Sequence, residues 1–230
     1  MQMMIAAVPG YKKGGNFHGK IARYLQASPG EVIHGRDALT PPLRIHLTEK
    51  GIRTILMMRD PRDQAISRMF HVRREQRHEW HARMQTMPDD EALLACIEGR
   101  DDEHLPGLRT MINITNSWLA PASGALVVRY EDVLGTPEPW VQRVFAHLHI
   151  PASPRFQQAI IQRHRFERLT VGPNLWQRAR PRGEADSSSH FRKGITGDWK
   201  NHFSPRHIAR FKEIAGDTLI AWGYEQNLDW

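Results

Sequence analysis

Two rhythms of apolar and polar positions alternate along the chain. Short apolar runs closed by turn formers fall at residues 3–8, 54–58 (TILMM) and 125–128 (ALVV), the first stopped by Pro9-Gly10. Their brevity and closure predict buried strands. Between them the spacing turns helical. Residues 16–26 carry Phe17, Ile21 and Tyr24 on one face, a long helical stretch covers 62–83, and 108–119 reads as a helix. In 137–148, Val141, Val144, Phe145 and Leu148 form one apolar stripe behind two prolines. Residues 154–166 repeat the pattern, and Ser204-Pro205 opens a last helix with Ile208, Phe211, Ile214 and Ala215 aligned. From 170 to 196 both rhythms give way to Gly, Pro, Ser and Arg; a loop that long in a compact domain is usually functional or mobile. Buried strands alternating with helices predict one α/β domain over 1–230, a central parallel sheet covered by helices on both faces.

Composition narrows the class. With 40% apolar residues in 230, the chain is no disordered segment. The net charge is +7 and the sequence pI near 9.9, which asks for an anionic partner: nucleic acid, a membrane or a phosphorylated ligand. Of the 32 Lys and Arg residues 25 are Arg, a bias toward forked recognition of oxyanions. Cys96 is the single cysteine, so an intrachain disulfide and a four-Cys zinc site are excluded. No run reaches membrane-span length, and 3–8 is too short for a signal-peptide core, so a soluble cytoplasmic protein is expected.

The stretch Gly10-Tyr11-Lys12-Lys13-Gly14-Gly15-Asn16 follows the first predicted strand and leads into a predicted helix. Doubly wound sheets bind phosphate there, because glycines let backbone N–H groups approach the anion and the helix end adds its dipole. A plain glycine-rich turn with solvated lysines is the alternative. A Walker A outline, Gly14-x4-Gly19-Lys20, fails at Ile21, which stands where a Ser or Thr would hold Mg²⁺.

Three further segments carry a resemblance: MRDPRDQAISRMFH over 58–71, VVRYED over 127–132 and FRKGITGDWKNHF over 191–203. In this order they resemble the PAPS-dependent sulfotransferases, the cytosolic type and its bacterial relatives. The resemblance implies a P-loop-like α/β fold and 3′-phosphoadenosine 5′-phosphosulfate (PAPS) as sulfuryl donor. It places the phosphosulfate contacts on Lys12, Lys13, Gly14, Gly15, Asn16, Phe17 and His18; Lys12, Gly14, Asn16 and His18 depart from the family's usual YPKSGTTW. It makes Arg59 and Ser67 the 3′-phosphate ligands, closed over by Arg192, Lys193 and Gly194. Tyr130 and Phe166 are the implied adenine contacts.

His46, in Arg44-Ile45-His46-Leu47, resembles the family's Lys-x-His and is the implied general base, with Lys13 at the bridging oxygen of the donor. Imidazole suits the task, since its ordinary pKa of about 6.5 leaves it largely neutral near pH 7. The bland alternative is a surface His behind Pro41-Pro42. A sulfuryl group carries less charge than a phosphoryl group, so no metal is required. The resemblance implies as acceptor a hydroxyl, or less readily an amine, of a small molecule, glycan or glycopeptide. Two rivals stay open: a P-loop kinase or NTPase, and a basic nucleic-acid-binding protein suggested by the cation- and aromatic-rich 68–83 stretch. The family's dimer motif starts at Lys200 but meets Ser204-Pro205 and Ala209 where Thr-Val and Glu should stand, so the oligomer is uncertain.

Overall fold

The computed structural model describes the chain outside residues 18–23, 25, 101–103 and 172–178, with only the backbone of Asn16 and Phe17. Its contacts divide it into two compact units, each drawn from two stretches: Met1–Met57 with Ile114–Pro181, and Met58–Asn113 with Arg182–Trp230.

The first unit opens on a helix. Residues 3–8, expected as a strand, begin instead with helix α1 (Gln2–Ala6). Met4, Ile5 and Val8 are buried while Met3 is 47% exposed, a helical rather than an alternating pattern. The glycine-rich stretch expected as a loop is strand β1 (Lys12–Phe17), parallel to β2 (Glu31–Gly35) with Lys12 opposite Glu31 and Asn16 opposite His34. A polar segment becomes a strand here because its neighbours supply the packing. A Cβ on Gly14 would come within 2.8 Å of the Glu31 side chain, and Gln2 donates from α1 to the Val32 carbonyl at 2.8 Å. The helix expected over 16–26 therefore yields its start to β1, and most of its remainder, His18 included, lies outside the described residues.

Helix α2 (Pro41–Glu49) starts where Thr40 accepts from the Leu43 N–H, behind two prolines. Strand β3 (Ile55–Met58) lies beside β4 (Leu126–Arg129), so the described strands form two two-stranded sheets. Helices α7 (Tyr130–Gly135), α8 (Pro137–His147), α9 (Pro154–Arg163) and α10 (Phe166–Leu169) follow. Val141, Val144 and Phe145 pack with Met4, Ile5, Val8, Val128 and Ile160 into one core, as the stripe predicts.

In the second unit Asp60 caps α3 (Pro61–Arg74) by accepting from the Arg62 N–H at 2.8 Å. The helix expected over 62–83 breaks at Glu75 and resumes as α4 (His81–Thr86). In the break the Trp80 N–H donates to His78 Nδ1, and the indole is buried. Helix α5 (Asp89–Glu98) carries three carboxylates in its first turn. It ends at Gly99, φ +80, where a Cβ would meet the Gly107 backbone at 2.3 Å. Helix α6 (Leu108–Leu119) has the expected bounds. The last helix, α11 (Pro205–Ala221), buries His207, Phe211, Ala215 and Leu219. Ser204 N–H donates to His207 Nδ1, which leaves Nε2–H to donate to the Asp90 carbonyl at 2.8 Å. Trp199, Phe203, Phe211 and Trp230 form an aromatic group beside it, edge-to-face except for the tilted Phe203–Phe211 pair. Among the described residues no helix is long and apolar enough to cross a membrane.

Candidate functional site

In the second unit the sequence-selected cations are organised by two buried carboxylates. Arg59 follows β3 directly, and its guanidinium lies 4.0 Å from Asp63 Oδ2 in the first turn of α3. Ser67 stands one helical turn beyond Asp63, on the same face and exposed. Asp63 is 1% exposed and accepts from the backbone N–H groups of Gly197 at 2.7 Å and Trp199 at 2.9 Å. Those two residues flank Asp198, the first residue of the short 3-10 turn Asp198–Asn201, which is entered through Gly197 at φ +73, a left-handed conformation that suits glycine.

Asp198 is the second carboxylate, also 1% exposed. It accepts from Arg192, from Lys193 Nζ at 2.6 Å and from Asn201 Nδ2 at 3.0 Å, with His202 Nε2 at 3.4 Å. The Arg192 guanidinium also sits 4.4 Å over the Phe70 ring, and Phe70 meets His202 edge-on. Gly194 takes φ +64 just after this cationic pair.

The two carboxylates are tuned in opposite directions. Burial pushes Asp63 up, and the Trp199 N–H, the Arg59 charge and the Gly197 N–H offset this only in part. Burial pushes Asp198 up as well, but hydrogen bonds from Arg192, Lys193 and Asn201 outweigh it and hold the carboxyl well below the usual carboxylate range. Behind them Arg62 binds Asp60 and Glu225 and stacks between Trp199 (4.2 Å) and Trp230 (4.6 Å). Trp199 is accordingly buried among aromatic rings.

The basic 68–83 stretch turns several of its cations inward. Arg73 binds Asp89 and the carbonyls of Met84 and Met87, whereas Arg83 stays exposed, 4.3 Å over the Trp80 ring. Arg74 donates to the Ser189 carbonyl at 2.8 Å and contacts Nδ1 of both His71 and His190, which ties the serine-rich approach to α3.

In the first unit the selected groups are dispersed. Lys12, Lys13 and Gly15 are exposed along β1, while Gly14 is buried against β2. Tyr130 opens α7, half-buried. Phe166 is buried at the start of α10, with the Arg180 guanidinium 5.7 Å from its ring. His46 lies half-buried in the last turn of α2, on a helix rather than in a loop. Its Nε2 is buried and has no hydrogen-bond partner among the described residues. Sequence reasoning gave no role to Asp63, Phe70, Asp198, Asn201 or His202. All five lie inside the quoted 58–71 and 191–203 motifs, which was the available signal.

Known proteins bear on this arrangement. The chain is 29% identical to flavonol 3-sulfotransferase of Flaveria bidentis over 106 residues, 43% of this chain and 34% of that one. It is 33% identical to sulfotransferase 1B1 of Canis lupus familiaris over 101 residues, 41% of this chain and 34% of that one. The matches thus span about a third of those relatives' length. A crystal structure of mouse sulfotransferase SULT7A1 complexed with PAP shares the fold, with a TM-score of 0.67 at 20% identity, over 94% of this chain and 78% of that one. The P-loop-like α/β fold follows from that likeness. The pattern that defines the sulfotransferase domain covers residues 38–223, from before His46 to beyond α11, and begins after the glycine-rich strand. A match over that much of its length places this chain in the sulfotransferase domain family.

Proposed function

We propose that residues 1–230 work in the cytoplasm as a single sulfotransferase domain, moving the sulfuryl group of PAPS to a hydroxyl of a small-molecule, glycan or glycopeptide acceptor. The observation that carries this reading is the gathering of Arg192 and Lys193 on Asp198, next to the turn that Asp63 holds beside Arg59. A guanidinium carries five N–H donors and an ammonium three, so a bond to one carboxylate does not by itself exhaust either. Arg59, Ser67, Arg192, Lys193 and the Gly194 N–H then bind the 3′-phosphate. Tyr130 and Phe166 take the adenine, while Lys12, Lys13 and the backbone through Gly14, Gly15, Asn16, Phe17 and His18 take the phosphosulfate.

His46 accepts the proton of the acceptor hydroxyl as that oxygen attacks sulfur in line. Its Nε2, without a hydrogen-bond partner among the described residues, supports the role, because a base already engaged in a hydrogen bond must break it first. Lys13 stabilises the charge that develops on the bridging oxygen. Arg73 and Arg74, half-buried and engaged by a carboxylate and backbone carbonyls, count against a nucleic-acid surface on the 68–83 stretch.

Thermal unfolding with adenosine 3′,5′-bisphosphate, ATP–Mg²⁺ and short DNA separates the readings. Stabilisation by the bisphosphate above the other two is expected. A clear shift with ATP–Mg²⁺ and none with the bisphosphate overturns the assignment. A screen of acceptors with labelled PAPS then names the substrate class.

A further inference from the structure

The cations assigned to the 3′-phosphate come from two places far apart in the chain, and one side chain joins them. Arg59 and Ser67 flank the first turns of α3, whereas Arg192 and Lys193 are held by Asp198 at the start of the 198–201 turn. The turn in turn hangs on Asp63, whose two oxygens take the N–H groups on either side of Asp198. We infer that Asp63 is a positioning residue for recognition of the nucleotide 3′-phosphate: it sets the Arg192–Lys193 pair in register with Arg59 and Ser67 without touching the ligand. The inference rests on the donor assignment made above.

Three features give it physical content. Asp63 is 1% exposed, so its bonds to the turn are made out of water, where charge-assisted hydrogen bonds are short and strong. The bonded groups are backbone N–H donors, so they fix the main chain of the turn rather than one mobile side chain. Gly197 sits in the left-handed region at the joint, a conformation that fixes the direction in which Asp198 leaves. On the other side Arg62 still stacks on Trp199 and binds Asp60 and Glu225, so loss of Asp63 leaves the turn attached but free to shift.

The test compares two probes, adenosine 3′,5′-bisphosphate and AMP, which differ only in the 3′-phosphate. In Asp63→Asn one acceptor oxygen replaces two and the charge is gone, while size is kept. Losing a charge-assisted hydrogen bond corresponds to roughly a tenfold or larger loss in affinity. The bisphosphate affinity should fall by that factor and the AMP affinity stay within about twofold. In turnover, the KM for PAPS should rise while kcat at saturating PAPS holds, and Asp63→Glu should recover part of the preference. An unchanged ratio of the two affinities, or an equal fall in both, overturns the inference. A wild-type protein that does not distinguish the two nucleotides overturns the donor assignment instead. Should Asp63→Asn fail to fold, amide exchange of the wild type decides: the Gly197 and Trp199 N–H groups should be slowed more by the bisphosphate than by AMP, and equal slowing overturns the inference.

Discussion

The basic groups of the two units are held in contrasting ways. In the second unit Arg59, Arg192 and Lys193 are gathered by Asp63 and Asp198, both almost wholly buried. In the first, Lys12 and Lys13 stand exposed on a polar strand, and the ring nitrogen of His46 has no hydrogen-bond partner among the described residues. The two arrangements suit different tasks. A cation locked by a buried carboxylate has lost its conformational freedom before a ligand arrives, which favours recognition of a fixed anion. A histidine nitrogen left without a partner favours proton transfer, where a new bond must form and break each cycle.

The contrast is most sharply tested at His46. His46→Ala should lower transfer by about 10²–10⁴-fold while bisphosphate affinity stays at the wild-type value, read by labelled-PAPS turnover and calorimetric titration. Retained turnover would remove the histidine from the chemistry and the contrast with it. The double variant Arg192→Ala/Lys193→Ala should do the reverse. Bisphosphate affinity drops by roughly 100-fold, as expected for two lost charge-assisted contacts, with little change toward AMP.

A smaller effect separates the two carboxylates themselves. Asp198 is depressed in the folded state, so its stabilisation is present above the ordinary carboxylate pKa of about 4 and is lost as pH falls through the folded value. The Tm gap between wild type and Asp198→Asn should therefore be widest above about pH 4 and close in acid. Asp63 is raised, so its contribution is full below about pH 4 and is lost as pH rises through its folded pKa. Its gap to Asp63→Asn should narrow in the opposite direction, and parallel slopes for the pair would contradict the tuning described above. Smallest is Ser204→Ala, which removes bonds to Asp90 and His207 at the start of α11. It should cost about 1 kcal/mol of stability, read as a lower Tm, and leave bisphosphate affinity alone.

What could be read from the sequence follows from range. Helices with a long apolar stripe, 108–119, 137–148 and the one opened by Ser204-Pro205, were legible because each stripe and its capping residues are local. Residues 3–8 were not, since six apolar positions satisfy a strand and a short helix alike, and only the exposure of Met3 in the folded chain separates them. The glycine-rich strand was misread because its pairing comes from Glu31 to Gly35 and from Gln2, none of which announces itself nearby. The cations of the 58–71 and 191–203 motifs were legible as motif positions. Their organiser was not: Asp63 meets Gly197 and Trp199 across more than half the chain, and no local pattern encodes such a bond.

That distance also bears on how the molecule comes into being. Each unit is drawn from two separated stretches, and the second needs 58–113 and 182–230 together. A chain emerging from the ribosome has α3, Asp63 and Arg59 early, but Asp63 waits for its backbone partners until residues beyond 197 are synthesised. Contacts that close so large a loop form late and slowly. The growing chain therefore carries a buried-to-be carboxylate in water until residues 197–199 have been made. For the same reason no single cut yields either unit as a contiguous fragment.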